Sequence, residues 1–239
     1  MNPHRLTLHL TTICIVLFSV STVSAQKRKI PPGGRIAVVV DDRLSALRVT
    51  PELTGKLLRR VGRGKLVAIR SVKTVSDGTV FYLVNINSRT HGWIQREAVV
   101  LVSHAGDDQR LLSLIKAATD FDRITKARIF LDYFPRSPLR PEVLLLLGDA
   151  ADQAAVKLSR DADRKIDGSL AAPESSYFLN YIGLDRYNRQ RVVFLFDKKS
   201  RRFRYDGAAW RELLQRFPRT PQAVEARKRF ALEVPVLQR

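Results

Sequence analysis

The feature that most constrains the fold is a change in the spacing of apolar residues near position 105. Between residues 35 and 102, apolar residues come in short bursts rich in β-branched side chains, with glycines between them. From Asp107 onward they recur about every 3.6 positions, as in amphipathic helices. Because these two periods belong to different elements, we predict an α+β multidomain protein with a small all-β domain followed by an α-helical region.

Short strands with turn residues between them are predicted for the first part. They lie at residues 36–40, 44–49, 66–72, 80–86 and 93–94. The strongest hairpin signal is Asp77-Gly78, because tight hairpin turns require positive φ angles that an Asp-Gly pair adopts readily. Strands of this length and spacing predict a small barrel or sandwich.

The order of these segments resembles the bacterial SH3 domain family. Residues 46–49 and the loop at 50–55 match its opening, and the glycine-bearing turn at 60–67 precedes the next strand. An aromatic and β-branched strand follows at 81–84, and Gly92-Trp93-Ile94 matches the closing triplet. The resemblance implies an SH3-like β-barrel at 35–102, with a shallow groove for peptides or cell-wall stems.

Five residues are candidate ligand contacts of that barrel: Arg48, Arg59, Arg60, Tyr82 and Trp93. An arginine such as Arg48 is suited to a carboxylate, because its guanidinium forms charge-assisted hydrogen bonds. For Tyr82, groove and core positions are equally supported. For Trp93, packing in the core is favoured over a place in the groove.

A repeated five-residue segment organises the helical region, residues 107–239. Phe-Pro-Arg-Ser-Pro at 134–138 recurs as Phe-Pro-Arg-Thr-Pro at 217–221. The first proline cannot continue a helix, Ser or Thr caps the next one, and the second proline suits the first helical turn. Each copy therefore predicts a helix-turn-helix. Asp107 and Asp108 are predicted N-caps, and residues 119–122 a helix break.

Each of these segments, with apolar helices before and after it, resembles the tetratricopeptide-type repeat of envelope proteins, in particular the outer-membrane assembly lipoprotein superfamily. Only two copies are visible, whereas such repeats normally stack in threes or more. The resemblance implies helices that hold a protein partner in a concave surface.

An insert at about 167–206 separates the two copies. Residues 192–196 and 202–205 predict a β-hairpin around 197–201. The aromatic residues of the insert alternate with arginines, so a ligand surface based on stacking and cation–π contacts is one interpretation. The favoured interpretation is that the aromatics fill the space between the repeats while the arginines stay in solvent.

The N-terminus predicts export. Arg5 precedes an apolar run at 6–20, and small residues at 23–25 form a cleavage site, so residues 1–25 are a predicted signal peptide. A basic linker rich in Pro and Gly follows at 26–34. The alternative is an uncleaved membrane helix with a cytoplasmic body, because Lys27-Arg28-Lys29 outweighs Arg5. The only cysteine, Cys14, lies inside the apolar run, so a lipoprotein anchor is not expected.

Positive charge is spread along the chain. The formal net charge is +19. Residues 35–102 hold 12 Lys and Arg against 5 Asp and Glu, and residues 103–239 hold 26 against 18. Proteins that bind specific nucleic-acid sequences concentrate such charge on one face, so specific nucleic-acid binding is not expected here. A weak, salt-sensitive attraction to anions is expected instead.

No residue pattern predicts catalysis. After residue 25 the only histidines are His91 and His104, too few and too far apart for a zinc site, and no cofactor is expected. Nucleophile-elbow and phosphate-loop sequences are absent. The acidic pairs at 120 and 122 and at 161 and 163 are interpreted as helix caps and solvated faces.

Together these observations predict a non-catalytic protein of the cell envelope, periplasmic or secreted, with no integral membrane span after cleavage. Its SH3-like domain is expected to bind peptidoglycan or an extended peptide, and its helices another envelope protein. The alternative is an accessory or degenerate component of a cell-wall hydrolase.

Overall fold

The computed structural model describes residues 30–166 and 174–233. The predicted signal peptide, the first four linker residues and positions 167–173 of the insert lie outside the described residues. Within the described ranges, a seven-stranded antiparallel sheet is followed by helices and a two-stranded hairpin. The fold is therefore mixed α and β, as the change in apolar spacing predicts.

All strands of the large sheet lie between residues 35 and 101. They are β1 (Arg35–Val39), β2 (Ala46–Arg48), β3 (Leu57–Arg60), β4 (Leu66–Thr74), β5 (Val80–Asn85), β6 (His91–Gln95) and β7 (Val99–Leu101). The spatial order is β3-β2-β6-β5-β4-β1-β7, so β3 and β7 are the edge strands. Each of the five predicted bursts contains a strand, whereas β3 and β7 lie outside them.

The predicted Asp-Gly hairpin joins β4 to β5. Gly78 has a φ of 83°, in the region that favours glycine. The Asp77 carboxylate accepts the Thr79 N–H at 2.8 Å, and the Val75 N–H donates to the Thr79 carbonyl at 2.9 Å. This prediction is confirmed.

The helical region begins directly after β7. Its elements are α1 (Asp107–Ala117), α2 (Asp120–Tyr133), α3 (Arg140–Lys165), α4 (Glu174–Leu179), α5 (Asp185–Asn188), β8 (Phe194–Asp197), β9 (Arg202–Tyr205), α6 (Ala208–Arg216) and α7 (Pro221–Glu233). The long helix α3 packs against α2, α6, α7 and β9, so it is the central element of this region. A break between α1 and α2 is present as predicted, but it lies at residues 118–119 rather than 119–122, because α2 already begins at Asp120.

Both repeated segments interrupt a helix, but the helix that follows begins differently in each. At the second copy, α7 begins at Pro221, and the Thr220 hydroxyl accepts the Ala223 N–H at 3.3 Å, as predicted. At the first copy, α3 begins only at Arg140, with a proline in its first turn. Ser137 accepts the Leu139 N–H at 3.2 Å instead of capping α3. The prediction is therefore right for the second copy and wrong in detail for the first.

The predicted N-caps of α1 are also wrong. The N-cap is Gly106, and Asp107 is the first helical residue. The Asp107 carboxylate accepts the Leu101 N–H of β7 at 2.6 Å, because this edge-strand amide needs an acceptor. Asp108 accepts the Ser137 hydroxyl at 2.7 Å.

Two apolar clusters form the core. One contains only residues of strands β1–β7 and of the segments between them, among them Leu47, Tyr82 and Ile94. The other is built by the helices and the small hairpin, but it includes Val38 and Val100 of the sheet. Alternate residues of a strand point to opposite faces, so β1 and β7 contribute to both clusters. The all-β and helical parts are thus packed together rather than separated.

The insert contains the predicted β8–β9 hairpin. Its aromatic residues are buried against α3 and α4: Phe178 stacks on Phe196 with ring centroids 4.4 Å apart, and Phe203 and Tyr205 are buried beside them. The Ser159 hydroxyl of α3 accepts the Phe203 N–H at 2.8 Å. The inward packing of these aromatics agrees with the favoured interpretation, but Arg186 and Arg201 also lie over the rings of Tyr187 and Phe178. That the insert fills space between two repeats stays a prediction.

Candidate ligand-binding groove

An open groove lies on the large sheet beside Trp93, and we call it the Trp93 groove. Its lining residues come from β3, β5, β6 and adjoining loops: Val49, Leu58, Arg59, Leu83, Arg89, Thr90, His91, Gly92 and Trp93. Its volume is about 660 Å³, within the range of about 300–1,000 Å³ typical of ligand pockets.

The strand register shows which residues are aligned across the sheet at the groove. Trp93 of β6 lies opposite Leu83 of β5 and opposite Arg48 of β2. Residues directly opposite one another in antiparallel strands share a face, so these three side chains form one row across the sheet. The Trp93 side chain is half-buried, which leaves part of the indole open to a ligand.

Gly92 allows β2 and β6 to approach closely at this point. A Cβ atom at position 92 would lie 2.8 Å from the Arg48 carbonyl oxygen and 2.8 Å from Leu47 Cγ. A side chain at position 92 would therefore push apart the strands that carry Arg48 and Trp93.

The polar side chains of the groove are all bases or neutral donors. Arg59, Arg89 and His91 line it, and none of the nine lining residues is acidic. The loop that carries Arg89 is held by the Asn87 side chain, whose Oδ1 accepts the Arg89 N–H at 2.9 Å and the Thr90 N–H at 2.8 Å. A ligand with an apolar group and a carboxylate matches this combination of surfaces.

Of the five candidate residues, only Arg59 and Trp93 line the groove. Arg48 is not among the lining residues: its guanidinium donates to the Gly55 carbonyl at 2.7 Å and holds the β2–β3 loop. Tyr82 is 8% exposed and belongs to the sheet core. Trp93, for which the sequence favours packing in the core, lines the groove instead. Tyr82, for which the sequence supports groove and core equally, lies in the core.

Arg60 lies in a different cleft, together with Asp42, Arg43, Val61 and Gly62. The Asp42 carboxylate accepts a hydrogen bond from Arg63 at 2.7 Å. Burial alone would raise the pKa of Asp42, but the hydrogen bond and charge of Arg63 outweigh it, so this pKa lies below its ordinary value. The cleft thus contains its own anion, unlike the Trp93 groove.

Sequence reasoning missed most of the lining: Val49, Leu58, Leu83, Arg89, Thr90 and His91. Val49 and Leu58 are half-exposed apolar residues beside a tryptophan, a combination visible only in three dimensions. The one usable signal was the loop before Gly92, where Arg89 and His91 lie next to the closing triplet.

The described residues contain no group of three or more His, Cys, Asp or Glu side chains that could hold a metal ion. His104 lies beside Asp107 at 3.8 Å, far along the chain from the groove histidine. Across residues 30–166 and 174–233, no helix combines the length and the apolar character needed to cross a membrane. The groove itself presents an indole, aliphatic side chains and cations.

None of the protein-family models matches the chain, and no curated protein or solved structure is significantly similar to it.

Proposed function

We propose that this chain is a non-catalytic, exported protein of the cell envelope that binds peptidoglycan or an extended peptide in the Trp93 groove. The observation that carries the proposal is the row of Trp93 and Leu83 beside Arg59, Arg89 and His91, without a lining carboxylate. Export stays a prediction from the sequence of residues 1–25.

The sheet domain of this proposal is an SH3-like barrel. Every residue of the apolar cluster that includes Leu47 and Ile94 lies between residues 37 and 101, which supports a sheet that curls over its own apolar face. A sheet can cover its own face only if it curls. Register shifts at Leu47/Arg48 and Ile69/Ser71 support such curling, because bulges bend a strand and increase its twist.

The ligand class follows from the groove chemistry. Val49, Leu58 and Leu83 suit an aliphatic side chain, and the indole suits a flat or apolar group. Arginines at the rim suit a carboxylate, because guanidinium and carboxylate form charge-assisted hydrogen bonds. Wall stem peptides and the C-termini of extended peptides combine short aliphatic side chains with free carboxylates, so both are candidate ligands.

In the same proposal, the helices form a tetratricopeptide-like region that binds another envelope protein. Two helix pairs, α2–α3 and α6–α7, are each joined by a proline turn, and the pairs meet through α3 and α6. Half-exposed Val156 of α3 and Val224 of α7 are apolar contact points on this region.

Adjacent arginines provide a matched test of the groove. Arg59→Glu is expected to weaken binding to purified wall fragments about 10- to 100-fold, because a hydrogen bond to a charged group contributes about 1.5–3 kcal/mol. Arg60→Glu makes the same charge change one residue away, outside the groove, and is expected to change the affinity by less than about threefold. The binding of both variants is measured by sedimentation with insoluble peptidoglycan and by calorimetry with a soluble stem peptide.

Equal losses for the two arginine variants would contradict the groove assignment, as would unchanged binding by Trp93→Ala in a folded protein. A zymogram distinguishes the proposed binding function from the alternative, a component of a cell-wall hydrolase. A band of lysis in a peptidoglycan gel would indicate a hydrolase component and end the non-catalytic proposal.

A further inference from the structure

The β8–β9 hairpin has one buried and one exposed face. Phe194, Phe203 and Tyr205 point inward and are buried, whereas Val193 is 46% and Leu195 is 55% exposed. Leu195 lies directly opposite Arg204 in the register. The outer face of the hairpin therefore presents aliphatic side chains next to a guanidinium.

Cations surround these aliphatic residues. Residues 185–204 contain eight Lys and Arg against two Asp, a local concentration on a chain whose charge is otherwise spread. We call Val193, Leu195, Arg202 and Arg204, with Lys198 and Lys199 of the turn, the hairpin outer surface. All six are exposed.

The acidic residues near this surface are already engaged. The Asp197 carboxylate accepts the Lys199 N–H at 3.0 Å and the Ser200 hydroxyl at 2.8 Å, which closes the turn. Asp206 accepts the Ala208 N–H at 3.0 Å and pairs with Arg211 at 3.2 Å. Asp197 lies directly opposite Arg202 and also acts electrostatically on Arg204, so it offsets one of the four positive charges and leaves an excess of three.

Among the described residues, the four cations of this surface form no ion-pair contact with a carboxylate. Within residues 30–166 and 174–233, the ion pairs of this segment join Arg191 to Asp132 and Arg201 to Asp163. No carboxylate in those ranges lies within ion-pair distance of Lys198, Lys199, Arg202 or Arg204. Four positive charges thus face solvent beside two exposed aliphatic side chains.

We propose that the hairpin outer surface docks on the surface of an anionic lipid bilayer. Lysines and arginines near such a surface are attracted to its negative headgroups, and each strengthens binding about fivefold. Val193 and Leu195 can enter the boundary between headgroups and acyl chains, where the burial of their apolar surface favours binding. The surface is separate from the Trp93 groove and does not depend on its ligand.

The position of the aromatic residues favours lipid over a nucleic acid. Proteins that bind single-stranded nucleic acids stack bases on exposed aromatic rings. Here the rings of the hairpin belong to the buried face, with Phe196 stacked on Phe178. The exposed positions carry aliphatic groups instead, which suit acyl chains rather than bases.

Sedimentation of the full chain with lipid vesicles tests the proposal. The vesicles are pure phosphatidylcholine, or phosphatidylcholine with one third phosphatidylglycerol. We expect binding to the second kind only, and a loss of about 20- to 30-fold in the variant Arg202→Gln/Arg204→Gln. The control variant Arg136→Gln/Arg219→Gln removes two exposed arginines at the proline turns and has the same net charge as the first variant. Its binding to the anionic vesicles is expected to weaken by less than about threefold.

The aliphatic contribution has its own variant. Leu195→Thr keeps a strand-forming residue and all charges, and is expected to weaken binding to anionic vesicles at high salt as well as at low salt. Far-UV circular dichroism confirms folding of each variant.

Three results would overturn the proposal. The first is an equal loss in the two double variants, which would assign binding to net charge alone. The second is equal binding to both kinds of vesicle. The third concerns the variant Arg202→Gln/Arg204→Gln. If this variant binds vesicles as well as the unchanged protein does but no longer binds single-stranded oligonucleotides, the surface is assigned to nucleic acid.

Discussion

At the scale of single residues, Trp210 packs closely against Gly148 in the helical region. Trp210 is 1% exposed, and its ring lies against α3 at Gly148. A Cβ atom at position 148 would lie 2.0 Å from the indole Nε1 and 2.4 Å from Cδ1. Glycine is a poor helix former, so its place inside a 26-residue helix is explained by this close approach.

Gly148→Ala is expected to destabilise the protein by about 2 kcal/mol, because the clash with Trp210 outweighs the better helix propensity of alanine. Gly62→Ala is the matched control, since position 62 has no atom within 4 Å of a new Cβ. Its expected effect is below about 1 kcal/mol in either direction. Urea unfolding of both variants measures the difference, and similar midpoints would contradict the packing argument.

The two candidate aromatics, Tyr82 and Trp93, show where prediction from single residues stops. Tyr82 pairs with Ile94, and Trp93 pairs with Leu83. The two aromatics are therefore one position out of phase and point to opposite faces of the sheet. Their chemical character is evident from the sequence, but the face that each one occupies is set by register across strands.

At the scale of elements, the two proline turns show how similar local sequences give different helix starts. Both stop a helix, because proline has no N–H to donate and its ring clashes with the preceding turn. At the second turn Thr220 caps α7, and its hydroxyl also donates to the Phe217 carbonyl at 2.8 Å. At the first turn, the Ser137 hydroxyl donates to Asp108 of α1 instead. A tertiary contact changes the role of the serine.

Thr220→Ala is expected to lower the free energy of unfolding by about 1 kcal/mol, the usual cost of losing an N-cap. Thr119→Ala serves as the control. Thr119 is the N-cap residue of α2 but makes no side-chain hydrogen bond to that helix, so its replacement is expected to cost less than about 0.5 kcal/mol. Thermal and urea unfolding compare the two, and a larger loss for Thr119→Ala would refute this ranking.

At the scale of the whole molecule, polar contacts join the sheet to the helices. Arg63, in the turn before β4, pairs with Asp42 at 2.7 Å and with Asp122 of α2 at 2.5 Å. The Tyr133 hydroxyl donates to the Gly64 carbonyl at 3.2 Å. The Arg110 guanidinium of α1 donates to the Val99 carbonyl at 2.9 Å. With the shared valines of β1 and β7, these contacts predict that the two parts unfold together.

The two tryptophans of the chain test this prediction, because Trp93 lies in the sheet and Trp210 in the helical region. In the variant Trp210→Phe, the fluorescence of Trp93 follows unfolding of the sheet, and circular dichroism at 222 nm follows mainly unfolding of the helices. We expect one midpoint for both signals in urea, since coincident transitions indicate a single cooperative unit. The variant Trp93→Phe provides the reciprocal measurement. Separate midpoints in either variant would show that the parts unfold independently.

The sequence by itself determined the type and approximate position of most elements: the β-rich first part, the Asp77-Gly78 turn, the two proline turns and the hairpin of the insert. These follow from backbone preferences and apolar periods within a few residues. Only the tertiary structure decided that β2 lies beside β6, so that Arg48 meets Trp93, and that Val38 and Val100 join the helical core. Strand order and register are set by contacts between residues far apart in the chain, and a local pattern does not contain them.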